Sequence, residues 1–438
     1  MGWPVALALL LGALVVMMAL GIPVVFAFFG VNILGAVIFL GGDAGIVQLL
    51  RNVSSSVSNF SLVPIPLFIF MGEIMYHTGM AQRAIDAIDR LIYKIPGRLS
   101  IVAVVGGTIF AALSGSTMAN TAMLGSTLLP DMRRRGYDRT IAMGPILGTG
   151  GIAMLIPPSG LAVLLASLAK IPIAELLIAG IVPGLIFAAL FFTYIVVRCT
   201  LDPGLAPTED RPREPLARRM LPFLVYVLPL MLIFVVVVGS MLAGVATPSE
   251  SAALGGVASV IAAAGYRRLT WQSFATSVLE TAKISAMIFF IASASLTFSQ
   301  ILAFSGATQG LLQQLRMLDL GPTALIAGML LVLLFMGCFL DQLSMMLITL
   351  PFFMPLAQAL GLDLVWFGIL LLLVLEISFT TPPFGMLLFV MKGVAPPDTT
   401  MRDIIVAATP FVLLELFGLV LMFLYPPLVT WLPALIQR

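Results

Sequence analysis

Charged residues are scarce in this chain of 438 residues. Lys, Arg, Asp and Glu make up 10% of the sequence, and hydrophobic residues make up 61%. Soluble domains average about 25% charged residues. A buried core cannot absorb this much apolar surface, so the outside of the protein must be apolar too. The composition excludes an ordinary soluble domain and predicts an all-α polytopic membrane protein, because the long apolar runs do not alternate as barrel strands do.

Cysteine and histidine are almost absent. The chain has only Cys199, Cys338 and His77, which excludes a disulfide framework and a cluster of Cys and His ligands around a metal ion. The net charge of +2 indicates no nucleic-acid partner. No Lys or Arg precedes Arg51, and a signal peptide has a basic start, so the first apolar run is predicted to be a retained transmembrane helix.

Apolar runs predict about ten crossings of a lipid bilayer. Two further apolar segments, 100–130 and 322–360, are too long for one helix and carry small or polar residues at their centres. The predicted crossings lie near 3–20, 22–41, 58–78, 140–168, 173–197, 221–243, 247–265, 284–304, 364–391 and 404–427.

Basic residues test this threading, because Lys and Arg concentrate in cytoplasmic loops. If alternate loops are placed inside, they hold 18 of the 22 Lys and Arg residues. This unequal distribution of Lys and Arg holds only if each of the segments 100–130 and 322–360 enters and leaves the membrane on the same side. Both segments are therefore predicted to be re-entrant hairpins. The N- and C-termini are then periplasmic. The predicted inside loops lie near 83–98, 131–139, 198–219, 266–283 and 391–402.

The second half of the chain repeats the first at an offset near 225 residues. Each half has five crossings and one hairpin, and five is odd, so the halves have opposite orientations. Inverted repeats with paired broken helices are typical of secondary transporters, whose sites lie near the bilayer midplane. The matched positions include Gly79 with Gly306, Pro157-Pro158 with Pro382-Pro383, Pro172 with Pro397, and Pro183 with Pro410.

Several motifs resemble the large membrane subunit of tripartite ATP-independent periplasmic (TRAP) transporters. They follow one another in one order over nearly the whole chain. They are S-G-S-T-M-A-N-T-A-M-L-G at 114–125, L-I-P-P-S-G at 155–160, A-T-P-S-E-S-A-A-L-G at 246–255, Y-R-R-L-T-W at 266–271, F-L-D at 339–341, P-L-A-Q-A-L-G at 355–361 and T-P-P-F-G at 381–385. Two stretches depart from the family pattern: Q-L-S-M-M after F-L-D, and L-E-I-S-F-T before T-P-P, which adds Glu376.

The resemblance implies sodium-driven uptake of an organic acid across the bacterial inner membrane. It implies a periplasmic substrate-binding protein, a small four-helix membrane subunit, and an elevator motion of a transport domain against a scaffold. Na⁺ is then the coupling ion, with no organic cofactor. The corresponding division is N-terminal scaffold helices at 1–56, a first repeat core at 57–197, a cytoplasmic linker at 198–219, second-repeat scaffold helices at 220–283 and a second repeat core at 284–438.

Hydroxyl and carbonyl oxygens near the hairpin tips and helix breaks supply the hard ligands that sodium prefers. The N-terminal ends of the hairpin helices suit a substrate carboxylate. The candidate sodium ligands are Ser114, Gly115, Ser116, Gly148, Gly150, Gly337, Asp341, Ser344, Thr380 and Thr381. The candidate substrate contacts are Ser116, Thr117, Asn120, Pro158, Ser159, Thr381 and Pro382.

Acidic residues inside apolar segments need a partner or a proton. Asp341 is the strongest candidate for a functional acid, and the alternative is a hydrogen-bonded structural acid. For Glu376 a functional and a structural role are both open. Glu250 in T-P-S-E-S is predicted to cap a helix. Glu73 and His77 are interpreted as interfacial residues.

Two segments are interpreted as structural, and three other functions compete. Residues 81–96 predict an amphipathic helix along the cytoplasmic surface, and 208–219 a charged linker. A channel is the nearer rival, because broken helices also line pores. Proton-coupled transport of an organic anion is another alternative. An intramembrane serine protease lacks a suitable base, since His77 lies at the end of a span, so the chain is predicted not to be an enzyme.

Overall fold

The computed structural model describes residues 2–92, 95–207, 215–317, 321–383 and 385–436, and these residues form helices and connections without a strand. The first half contains α1 (Trp3–Ala19), α2 (Val24–Phe39), α3 (Asp43–Val57), α4 (Pro64–His77), α5 (Met80–Leu91), α6 (Arg98–Ser114), α7 (Thr117–Arg134), α8 (Arg139–Gly151), α9 (Gly160–Ala169), α10 (Ile173–Ala179) and α11 (Ile181–Leu201). The second half contains α12 (Leu216–Pro222), α13 (Leu228–Leu242), α14 (Pro248–Gly265), α15 (Trp271–Phe304), α16 (Ala307–Met317), α17 (Pro322–Met336), α18 (Gln342–Ala359), α19 (Leu364–Thr380), α20 (Met386–Val394), α21 (Met401–Leu424) and α22 (Pro427–Ile436).

Two helical hairpins occupy the segments that were predicted to turn back. In the first, α6 and α7 are joined at Gly115 and Ser116. Gly115 has a φ of 59°, a left-handed conformation that glycine adopts without steric cost. In the second, α17 and α18 are joined by residues 337–341. The polar tips predicted from the sequence are therefore the points at which the chain reverses.

Both helices that were predicted to be interrupted at a Pro-Pro pair are interrupted in the structure. The first leaves helical geometry between α8 and α9, and the second between α19 and α20. The Pro157-Pro158 and Pro382-Pro383 peptide bonds are both cis. Proline lacks an N–H donor and clashes with a continuing helix. The second pair follows directly after the end of α19 at Thr380, whereas α8 already ends at Gly151, six residues before Pro157.

Equivalent positions of the two halves share their backbone conformation. Gly79 precedes α5 with a φ of 70°, and Gly306 precedes α16 with a φ of 74°. A hairpin, a broken helix and a long helix follow in both halves. The halves also interlock: α8 lies against α21, where a Cβ on Gly148 would come within 2.6 Å of the Phe411 ring. The internal repeat found in the sequence is thus present in the structure.

The loops rich in basic residues meet on one face of the molecule. Arg133, between hairpin and broken helix, donates to both carboxylate oxygens of Asp398 at 2.7 and 3.0 Å. Arg139 binds Asp398 at 3.1 Å and Asp403 at 2.7 Å. Contacts that extend the face are Asp138 N to Leu205 O, Arg219 to the carbonyls of Arg90 and Leu91, Arg83 to Tyr226, and Tyr226 to Tyr266. Parts of all five loops that were predicted to lie inside are therefore connected to one another by contacts.

The predicted connections are partly helical, which corrects the sequence interpretation, and two of them differ most. The supposed loop at 266–283 is helical from Trp271, because Thr270 and Ser273 form a capping box that starts α15. The supposed linker at 198–219 is shorter at both ends, since α11 runs to Leu201 and α12 begins at Leu216; residues 208–214, within the charged stretch 208–219, lie outside the described part of the chain. The helix α3 was not among the predicted elements, because its mixed composition resembles neither a span nor a regular surface helix.

Six helical segments in the described ranges are long and apolar enough to cross a bilayer, and shorter apolar helices flank them. The total of ten crossings stays a prediction. The amphipathic helix predicted at 81–96 is present as α5 but ends at Leu91, and it buries Ala84, Ile85 and Ile88. Glu250 closes a capping box with Thr247 at the start of α14, as predicted. Glu73 and His77 form a partly exposed pair with 3.1 Å between Oε2 and Nε2.

Candidate functional site

The first hairpin tip lies against the first helix break. A Cβ on Gly115 would come within 3.0 Å of the Pro158 carbonyl oxygen. Ser116 caps α7 by accepting the Ala119 N–H at 3.3 Å, and Ser159 caps α9 by accepting the Ala162 N–H at 3.3 Å. Two helix N-termini therefore begin side by side inside the protein, where their positive ends favour an anion. Ser114 ends α6, and its side chain lies outside the described structure.

Buried oxygen atoms surround the C-terminal end of α8. Asn120 is fully buried, and its amide nitrogen donates to the carbonyls of Gly107 at 3.3 Å and Thr149 at 3.1 Å. Within the described ranges, no donor reaches Asn120 Oδ1 or Thr121 Oγ1. A Cβ on Gly150 would come within 2.6 Å of Thr121 Oγ1. In the first half, Asn120 and Thr121 thus place side-chain oxygens without a described donor near the glycine-rich end of α8.

The second hairpin tip lies against the second helix break. A Cβ on Gly337 would come within 2.1 Å of the Ser378 side chain, and Cys338 Sγ lies 3.5 Å from the Pro382 carbonyl oxygen. Thr381 donates its hydroxyl to Ile377 O at 2.6 Å. The Thr380 hydroxyl is fully buried and has no hydrogen-bond partner among the described residues. A free hydroxyl therefore lies beside this break as well.

Asp341 serves as the cap of α18. Its Oδ2 accepts the backbone N–H groups of Leu343 at 3.1 Å and Ser344 at 3.2 Å. The Ser344 hydroxyl donates to Asp341 Oδ1. These bonds satisfy the orphan donors of a helix start. Both oxygens of the carboxylate that the sequence singled out thus accept hydrogen bonds from the first turn of its own helix.

Glu376 joins the two halves of the site. It lies fully buried on α19, and three donors reach its carboxyl group. Thr117 Oγ1 lies 2.7 Å and Met154 N 3.1 Å from its Oε1, and Gln342 Nε2 lies 3.0 Å from its Oε2. One side chain therefore connects the first hairpin, the first break and the second hairpin.

Several residues of this arrangement were missed by the sequence analysis. Gln342 and Met154 carried no signal, since one is an ordinary amide and the other acts through its backbone. Thr121 follows Asn120 in the S-G-S-T motif region and was passed over. Glu415 was visible as an acid inside the apolar run V-L-L-E-L-F-G of α21, and it is 2% exposed. An intramembrane acid is a functional hypothesis in itself.

The two glycines proposed as ion ligands on α8 have different surroundings. Gly150 faces Thr121, whereas Gly148 faces the rings of Phe411 and Phe191. Gly148 therefore allows α8 to approach α11 and α21 closely, and Gly150 is the one beside free oxygen atoms.

Comparison with known proteins identifies the family. The sequence profile described as "Tripartite ATP-independent periplasmic transporter, DctM component" matches residues 11–428. The chain belongs to the DctM family of TRAP transporters. It is 31% identical over 402 residues to the C4-dicarboxylate TRAP transporter large permease protein DctM of Pseudomonas aeruginosa, covering 91% of this chain and 90% of that protein. It is 29% identical to the ectoine TRAP transporter large permease protein TeaC of Halomonas elongata, covering 98% and 99% of the two chains.

Solved structures of other transporters share the fold of this DctM-family protein. The YdaH transporter of Alcanivorax borkumensis matches with a TM-score of 0.59 at 14% identity, over 88% of this chain and 90% of that one. The predicted TRAP resemblance is confirmed, and with it a membrane transporter component. TRAP large permeases work with a small permease and a periplasmic binding protein.

Proposed function

We propose that this chain is the large membrane subunit of a sodium-coupled transporter that takes up an organic acid. A periplasmic binding protein delivers the acid, and a small four-helix subunit completes the scaffold. The hairpins and broken helices move together as the transport domain of an elevator, and both chain termini lie in the periplasm. The acid belongs to the class carried by the relatives named for C4-dicarboxylate and ectoine.

One observation carries the sodium assignment. Next to each helix break lies a buried oxygen to which no described residue donates: Asn120 Oδ1 and Thr121 Oγ1 at the first, Thr380 Oγ1 at the second. A buried polar atom without a partner is unfavourable. A hard cation held by several oxygens would satisfy these atoms, together with backbone carbonyls freed where the helices stop.

The bridge through Glu376 supports a single moving body. Its bonds to Thr117, Met154 and Gln342 connect elements of both repeats. The ion pairs between Arg133, Arg139 and Asp398 connect the same repeats at the basic face. Hairpins tied together at two levels move as a unit more readily than as independent gates, which is what an elevator requires.

Thermal unfolding of the purified chain in sodium, potassium and choline salts tests the sodium sites. A ligand that binds only the folded form stabilises it by RT ln(1 + [Na]/Kd), about 1.4 kcal/mol at ten times Kd. Such a gain raises the melting midpoint by a few degrees. We expect this rise in sodium alone. Equal melting in all three salts would remove sodium as the coupling ion.

Two nearly isosteric variants locate the effect. Thr121→Val and Thr380→Val each delete a hydroxyl that bonds to no described residue, so they should fold normally and lose part of the sodium-dependent rise. Thr281→Val is the matched control, because its buried hydroxyl on α15 is also unpartnered within the described ranges but lies on another helix. If Thr281→Val lost as much of the sodium-dependent rise as the two variants, the rise could not be assigned to the hairpin tips and helix breaks.

Uptake into liposomes tests the tripartite assignment. The purified chain alone should give no concentrative uptake of labelled succinate or ectoine under a sodium gradient. Addition of its small subunit and binding protein should be required for uptake of the cognate acid. Robust uptake by the chain alone would contradict the proposal.

A further inference from the structure

Glu415 on α21 is a buried acid without a hydrogen-bond partner. It is 2% exposed, and neither carboxyl oxygen has a donor among the residues that the structure describes. Its neighbours one helical turn away on the same buried face are Phe411, Val412, Gly418 and Leu419. An isolated carboxylate in such surroundings is strongly unfavourable, so a group in this position has to be neutralised.

The chain makes room for this carboxyl group at the first helix break. A Cβ on Gly151, the last residue of α8, would come within 2.3 Å of Glu415 Oε1. Gly151 stands six residues before Pro157, and Glu376 stands six residues before Pro382, so the two positions are equivalent in the repeat. At the second break the acid belongs to the broken helix itself. At the first, a glycine leaves space and α21 supplies the acid.

Every local charge around Glu415 has the wrong sign for an anion. α8 ends at Gly151, and the C-terminal end of a helix carries partial negative charge. The other buried acid nearby is Glu376 on the adjacent helix α19. Glu376 has three hydrogen-bond donors, whereas Glu415 has none in the described structure. Of the two acids, Glu415 is therefore the one whose charged form has no stabilising contact.

No described cation lies close enough to serve instead. On α8 the ionisable residue is Arg139, twelve residues from Gly151 and paired with Asp403. On α11, Tyr194 contacts the Phe411 ring edge-on, and Arg198 and Cys199 lie further along at the end of the helix. On α20, Lys392 donates to the Thr399 carbonyl. The remaining helices packed against α21 are α19, which carries Glu376, and α22, which has no ionisable residue between Pro427 and Leu435.

We propose that Glu415 is a proton-binding site of the transport domain, distinct from the sodium sites at the tips. One proton from water binds one carboxyl oxygen, and no redox change or further reactant is involved. A sodium ion would need several oxygens around it, but the face of α21 next to Glu415 is apolar. This inference goes beyond the proposed sodium coupling and holds even if sodium does not bind at the tips.

The test is thermal unfolding of the purified chain between pH 6 and pH 9, with Glu415→Gln and Glu376→Gln as variants. A carboxyl that is protonated in the folded protein and ionised in the unfolded chain releases a proton on unfolding. The folded protein then loses stability as the pH rises. The parent midpoint should fall by roughly 1–3 °C per pH unit more than that of Glu415→Gln. Glu376→Gln should keep the part of the slope that Glu415→Gln loses.

Repeating the titration in sodium and in choline separates the two cations. The slope difference between parent and Glu415→Gln should be the same in both salts. A difference that disappears in one salt, a Glu415→Gln slope equal to that of the parent, or loss of the slope only in Glu376→Gln would each overturn the proposal.

Infrared difference spectroscopy of the parent provides a readout that does not depend on folding of the variants. Raising the pH should remove a protonated-carboxyl band, and Glu415→Gln should lack that band while Glu376→Gln retains it. Absence of the band from the parent would overturn the proposal.

Discussion

The two helix breaks have the same topology and opposite chemistry. At the break between α19 and α20, Glu376 is part of the broken helix and accepts three hydrogen bonds. At the break between α8 and α9, the equivalent residue is Gly151, and the acid that fills the space is Glu415 from α21, to which no described group donates. Both acids are fully or almost fully buried. The comparison teaches that hydrogen-bond donors, more than the extent of burial, decide the chemical role of a buried carboxyl group.

The same substitution at the two acids should have opposite effects. Glu376→Leu leaves the donors of Thr117, Gln342 and Met154 unpaired, and each unpaired buried donor costs about 1–3 kcal/mol. We expect a loss of about 3 kcal/mol or more in the free energy of unfolding. Glu415→Leu strands no described donor and should be neutral or stabilising, as when buried charges are replaced by apolar groups. Denaturant unfolding in detergent measures both.

A milder variant refines this contrast. In Glu376→Gln the Gln342 amide can turn over and still pair, so this variant should lose less stability than Glu376→Leu. Equal losses for Glu376→Leu and Glu415→Leu would break the distinction between the two acids.

The space beside Glu415 gives the next largest effect. Gly151→Ala places a methyl group 2.3 Å from Glu415 Oε1, and overpacking of this kind costs about 1–3 kcal/mol. Glu415→Ala should relieve the clash, so the double variant should be more stable than the sum of the single variants implies. Gly239→Ala on α13 is the control, because no atom lies within 4 Å of its Cβ position. Additive effects in the cycle would place Glu415 away from Gly151.

A single bond to Glu376 has a smaller effect. Thr117→Val removes the hydroxyl that lies 2.7 Å from Glu376 Oε1, and one hydrogen bond contributes about 0.5–1.5 kcal/mol. We expect a loss near the lower end, because Met154 and Gln342 still bind the carboxylate. Thr127→Val serves as control, since that hydroxyl bonds only to the carbonyls of Met123 and Leu124 in its own helix. A control as damaging as Thr117→Val would assign the loss to helix α7 alone.

The smallest effect on stability is expected at the solvent-exposed ion pairs that connect the two halves of the chain. Burial opposes ionisation of Asp398, but hydrogen bonds from Arg133 and the charges of Arg133 and Arg139 outweigh it and lower the pKa of that carboxyl group. A lowered pKa in the folded state means that the contribution is present at neutral pH and is lost as the pH falls through the folded pKa. Asp398→Asn should lower the melting midpoint slightly at pH 7, and less in high salt. A salt-independent loss would indicate a packing role instead.

Much of the architecture could be predicted from the sequence. The hairpins at 100–130 and 322–360 appear as Arg98–Arg134 and Pro322–Ala359, because polar residues inside a long apolar run permit only a reversal of the chain. The Pro-Pro pairs marked both breaks, since proline cannot continue a helix. Glu250 was recognisable as a cap from its spacing alone. The helical segment after Trp271 was missed because basic residues at both of its ends resemble a loop.

The sequence alone determined that this protein is a helical membrane protein with an internal repeat, two hairpins and two breaks, because hydropathy, charge asymmetry and proline act locally along the chain. Only the tertiary structure decided which polar groups meet. Thr117, Met154, Gln342 and Glu376 are far apart in sequence, and their pairing depends on how two interlocked repeats pack. The same holds for Glu415, which shares its pocket with a glycine 264 positions earlier in the chain. Asp341 differs, because its carboxylate accepts hydrogen bonds from the start of its own helix. For Glu376 the donors come from other helices and connections, so local sequence could not reveal them.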